Sequence, residues 1–165
     1  MQFSSWLRPI AALPVGLFIT FYQAHGPDVG LICFAGFAAI LGIGGLVAAR
    51  STRSGLIPAL VALIALVLAV FALIQPQSLM TVLFSSVVAF WASLTGALEL
   101  YQAKKAGFAE RYGRDLLISA LLTLGMALLF LIANLDIVSA VGFFGAYLIL
   151  LGVHWGIAAA GPKTK

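Results

Sequence analysis

The sequence predicts an all-α polytopic membrane protein whose six transmembrane helices form three helical hairpins of parallel orientation. Three observations lead there. Hydrophobic residues make up 63% of the chain and charged residues 8%, against the roughly 45–50% apolar content of soluble domains. Turn-forming residues then divide the chain into apolar runs, most of them near the roughly 20 residues needed to cross a hydrocarbon core about 30 Å thick. Finally, the basic residues sit only in the terminal segments and in alternate connections between those runs. Residues 1–165 read as a single transmembrane domain, with little sequence left for a soluble catalytic unit.

The first run, 10–24, follows a short head in which Trp6 is an interfacial anchor and Arg8 a basic flank. No Ala-x-Ala pattern precedes Gly26, so the run is expected to be a retained helix rather than a cleaved signal. Pro9 suits a first helical turn, where no N–H is needed, and Pro14 is expected to loosen the span. His25-Gly26-Pro27-Asp28 breaks the chain before a glycine-rich second span, 29–49. In lipid, glycines let helix backbones approach closely, so this span is expected to present a packing face. A third span, 56–74, ends at the uncharged turn Gln75-Pro76-Gln77-Ser78, and a fourth begins at Leu79 and ends on Lys104 and Lys105. Residues 102–115 form the longest connection, either a short interfacial amphipathic helix or a plain solvated connector. The fifth span, 116–133, turns at Asn134-Leu135-Asp136 into the sixth, 137–160.

If the spans alternate, Arg8, Arg50, Arg53, Lys104, Lys105, Arg111, Arg114, Lys163 and Lys165 share one face, and no Lys or Arg remains for the other. The positive-inside rule makes that face cytoplasmic, with both termini on it. A net charge of +4 placed at span ends indicates anionic lipid headgroups rather than nucleic acid. The single cysteine, Cys33, lies in an apolar run and has no internal disulfide partner.

An internal repeat supports the hairpin reading. Phe37 precedes Gly42, Trp91 precedes Gly96 and Tyr147 precedes Gly152 by the same interval, and Ala49, Ala103 and Ala159 follow at another. Pro9 and Pro27 are spaced as Pro58 and Pro76 are. The hairpins are therefore placed at 9–49, 58–103 and 116–160, with any symmetry axis along the membrane normal. Gly42, Gly96, Gly152 and Gly156 are the expected helix-packing positions.

The run from Trp91 through Gly96 to Glu99, the fifth span with Gly125, and Tyr147 to Gly152 resemble the bacterial HdeD-like acid-resistance membrane proteins. The resemblance is strongest over 79–160, and the turn at 133–136 departs from it in lacking a proline. It implies repeated helical hairpins in the inner membrane and an envelope or stress role, and it carries no catalytic residues.

Glu99 and His154, with Ser93 and Thr95, form the candidate intramembrane polar or partner site. An ionisable group inside a span is costly and needs a partner. Glu99 lies three residues past Gly96, on the same general helix face, so a packed Gly96 turns its carboxylate into the bundle, with His154, Ser93 or Thr95 as candidate partners. The expected role is to fix helix register or a partner contact. His25, Asp28 and Asp136, in the outer turns, could titrate in acid. No nucleophile–base set, metal spacing or cofactor motif stands out. The expectation is a non-enzymatic accessory or regulatory subunit of an inner-membrane assembly such as an envelope-lipid exporter, or an acid-stress protein. Its partners are expected to be membrane lipids and another integral membrane protein or a second copy of itself. A small transporter or channel is the alternative, and a lipid-modifying enzyme a third class.

Overall fold

The computed structural model describes residues 2–50 and 55–161, so Arg53, Lys163 and Lys165 lie outside the described residues. It contains six helices: α1 (Gln2–Phe21), α2 (Pro27–Ala49), α3 (Leu56–Leu73), α4 (Gln77–Ala106), α5 (Arg111–Ile132) and α6 (Ile137–Ala160). From α2 to α6 these are five helices long and apolar enough to cross a membrane, and α1 adds a shorter apolar stretch, Trp6–Phe21.

Local chemistry sets the helix ends. Pro27 opens α2 without sacrificing a hydrogen bond, and Asp28 sits in its first turn, where a carboxylate suits the positive end of the helix. Asp136 caps α6, accepting the Ser139 backbone N–H at 3.0 Å and the Ser139 hydroxyl at 2.6 Å. α4 stops at Gly107, whose φ of 91° lies where side chains are disfavoured.

Several sequence-based boundaries need correction. α1 starts at Gln2 and runs through both Pro9 and Pro14, so Pro9 is not in its first turn. The connector expected over 102–115 shrinks to residues 107–110, because Lys104 and Lys105 complete α4 and Arg111 opens α5. Neither a separate interfacial helix nor a long connector forms there.

The helices close into a ring. The most extensive contacts are α4 with α5, α1 with α6 and α2 with α3, and contacts within each hairpin are lighter. Each even helix therefore packs chiefly on the odd helix of the next hairpin, and α1 closes the circle against α6. Glycines set these seams: a Cβ added at Gly42 would lie 2.6 Å from a Leu63 carbon, at Gly96 2.7 Å from Leu124, and at Gly152 2.6 Å from Leu13. Such distances are below any real carbon contact, so each leucine fills the space that its glycine leaves. Gly156 also faces α1, but more loosely, with Pro9 at 3.9 Å from an added Cβ.

On the bundle axis α2, α4 and α6 bring together buried aromatic rings. Phe37 and Trp91 meet edge to face at 5.1 Å, Phe34 and Phe144 lie 5.6 Å apart, and Tyr147 reaches Trp91 at 6.3 Å. Phe84 joins the stack through Phe144 at 5.9 Å. The motif aromatics Phe37, Trp91 and Tyr147 thus line the centre, and the motif glycines line the seams.

Candidate functional site

Four helices bring polar side chains together just below this aromatic core, at the end of the bundle that carries the basic residues. Gly96, seated on Leu124, holds α4 tightly against α5, and Glu99 follows on the same side of the helix. Glu99 is buried. Its Oε1 accepts from Arg8 Nη1 of α1 at 2.5 Å, and its Oε2 accepts the Ser119 hydroxyl of α5 at 2.7 Å. Ser119 Oγ in turn accepts the indole N–H of Trp155 of α6 at 3.0 Å. The Arg8 guanidinium also lies over the Trp155 ring, 4.4 Å from its centroid, a cation–π contact at a part-buried position.

One turn deeper, Thr123 Oγ1 lies 2.8 Å from the Ser119 carbonyl and 2.9 Å from the Tyr147 hydroxyl. A threonine has one hydroxyl proton. Given to the Ser119 carbonyl, it leaves Tyr147 as donor to Thr123. Donation therefore runs from Trp155 through Ser119 to Glu99 on one branch and from Tyr147 through Thr123 to the Ser119 carbonyl on the other. Every buried side-chain nitrogen and oxygen among the described residues has a partner. The chemistry of this node is to hold one carboxylate and one guanidinium in a fixed geometry. Its deepest member, Tyr147, packs against Trp91.

The expected partners of Glu99 are replaced. His154 lies half-buried on α6 and its Nε2 is 2.9 Å from the Asp115 carbonyl, so it tethers the start of α5 instead of meeting Glu99. Ser93 lines a groove of about 660 Å³ along α4, with Thr81, Ser85, Ser86 and Asn134, away from the node. Thr95 is half-buried and makes none of the node's bonds. Arg8, read from sequence as a topological flank, is instead the counter-ion, 91 positions away in the chain.

Sequence reasoning missed Ser119 and Thr123 as well. Their signal was present: two hydroxyls four residues apart mark one face of an otherwise leucine-rich span. Glu99 and Trp155 also occupy the same repeat position, whose counterpart in the first hairpin is Gly45. Gly45 packs on Ala59, so the corresponding seam between α2 and α3 is apolar at this level.

The outer turns are organised differently. The His25 ring, through Nε2, bonds the Ile19 carbonyl at the end of α1 at 3.0 Å. The hydrogen bonds from Ser139, side chain first and backbone second, hold the Asp136 carboxyl below its ordinary value of 3.8. A lowered folded-state value means the cap is fully present above 3.8 and is lost only as pH falls through the lowered value. Among the described residues no group of three or more His, Cys, Asp or Glu side chains gathers as a metal site would require.

Comparison with family models, with curated proteins and with solved structures found no match to this chain.

Proposed function

We propose that this chain is a non-enzymatic accessory or regulatory subunit of a larger assembly in a bacterial inner membrane, of HdeD-like type, serving the envelope or its response to acid. The observation that carries this reading is the filled axis. Phe34, Phe37, Phe84, Trp91 and Phe144 occupy the space where a conducting protein needs a polar path. Beneath them the polar side chains are satisfied by one another, an arrangement suited to stiffness more than to turnover. The described connections are short, so the protein offers a partner mainly its membrane-facing helices and the basic end. The family resemblance rests on the motif residues alone and supplies the envelope and acid-stress part of the proposal. Both termini are assigned to the cytoplasm.

Extraction of the tagged full chain from its native membrane into mild detergent or native nanodiscs tests the reading. The expected result is a stoichiometric integral membrane partner or a second copy. A lone monomer, combined with solute flux in proteoliposomes that requires the chain, would overturn it in favour of a transporter.

A further inference from the structure

The end of α4 and the start of α5 make a tip whose geometry is not required for crossing the membrane. α4 has 30 residues, a length of about 45 Å at about 1.5 Å per residue, against a hydrocarbon core of about 30 Å. With its apolar part in the core, its last turns stand among lipid headgroups. Lys104 and Lys105 occupy its last turn, and Arg111 and Arg114 the first turns of α5. Lys104, Lys105 and Arg114 are exposed. Glu110 and Asp115 offset part of this charge and leave the tip net positive.

The tip is also held in shape. Gly107 N–H donates to the Ala103 carbonyl at 3.0 Å, Glu110 N–H donates to the Gly107 carbonyl at 3.1 Å, and Gly113 sits directly against that same carbonyl with no room for a side chain. Around it Tyr101, Phe108 and Tyr112 are 67%, 48% and 60% exposed. Rings of this kind prefer the membrane interface, which places the exposed cations Lys104, Lys105 and Arg114 at phosphate depth.

We propose that this tip is a preorganised binding surface for anionic phospholipid headgroups. The proposal rests on the orientation given above, which puts the tip at the cytoplasmic leaflet. Charge complementarity selects the phosphate, the rings fix the depth, and the short turn removes the ordering cost that a flexible basic loop would meet on binding.

The test uses the full chain in nanodiscs of phosphatidylcholine mixed equally with phosphatidylglycerol, with retained lipids counted by native mass spectrometry. The parent protein is expected to retain phosphatidylglycerol over phosphatidylcholine by tenfold or more, with the preference falling in high salt. Lys104→Gln, Lys105→Gln and Arg114→Gln should each reduce it about fivefold, the effect of one cation near an anionic surface. Together they should abolish it, while Arg50→Gln, a cation at the same end but outside the tip, reduces it less than any of the three. Circular dichroism checks the fold, and the single variants decide the matter if the triple variant aggregates. An undiminished preference in the folded variants, or none in the parent, would overturn the proposal. Loss of lipid preference with the copurifying partner retained supports the tip surface and leaves the accessory reading untouched. Loss of the partner alone does the reverse.

Discussion

Glu99 keeps its carboxylate inside the bundle because Arg8 and Ser119, from two other helices, each take one of its oxygens. Removing one member of such a pair strands the other, which in buried pairs costs about 3 kcal/mol or more. Arg8→Ala, which strands the buried carboxylate, is expected to destabilise the bundle by about that amount, whereas Glu99→Leu leaves an Arg8 side chain that is 26% exposed and should cost about 2 kcal/mol. Glu99→Gln keeps the shape and an acceptor oxygen for Arg8 or Ser119, and should cost less than half as much. Unfolding of the purified variants in detergent, followed by circular dichroism, measures the difference. If the glutamine variant folds and assembles as the parent does but loses function, the node works through protonation and not through structure. Part of this site was legible in the sequence: the position of Glu99 past a packing glycine pointed the carboxylate inward. Its partner was not legible, because a basic residue near the start of a span reads first as a topological flank. Only the closure of α1 onto α6 brings Arg8 to α4, and nothing local to either segment encodes that contact.

At the scale of the helices, the aromatic and glycine markers divide the work between the axis and the seams. Gly96 accepts Leu124 so closely that a single added carbon would lie 2.7 Å from Leu124 Cγ and 3.1 Å from its backbone nitrogen. Gly96→Ala should thus strain the α4–α5 seam by about 1–3 kcal/mol, as overpacked cores do. Gly125 offers the contrast, with nothing within 4 Å of an added Cβ. Gly125→Ala should be neutral or slightly stabilising, since alanine is the better helix former. Thermal melts of the two variants in one detergent check the pair, and equal melting temperatures would remove the glycine seats as the cause of helix pairing. The existence and order of these helices were legible, because apolar runs and proline or glycine breaks both leave strong local signals. The ends of α4 and α5 were not. Lysine, arginine and glutamate favour helix as readily as they favour water, so charge marks where the membrane ends and not where the helix does.

For the whole molecule, the closing contact fixes more than stability. Along α1, Arg8 meets Trp155, Leu13 meets Gly152, and Gly16 and Ile19 meet Gly145. Rising numbers on one helix matched by falling numbers on the other mean that α1 lies antiparallel to α6 over about three turns. The start of α1 is then level with the end of α6, so the first and last helices share a depth although α1 has the shorter apolar stretch. This places the start of α1 and the end of α6 on one side without any appeal to charge. Charge then selects the side: Arg8, Arg50, Lys104, Lys105, Arg111 and Arg114, all the Lys and Arg among the described residues, gather at that same end. By the positive-inside rule we propose that this end faces the cytoplasm. In a chain lacking Cys33, a cysteine replacing Gln77 should react with an impermeant thiol reagent on intact spheroplasts. One replacing Lys105 should react only after the membrane is opened. The reverse pattern would invert the molecule, whereas reaction at both positions in intact cells would mean that α4 does not cross. The second outcome would also undo the ring, because α4 carries Gly96, Trp91 and Glu99, and with them one seam, part of the axis and the acceptor of the Arg8 closure.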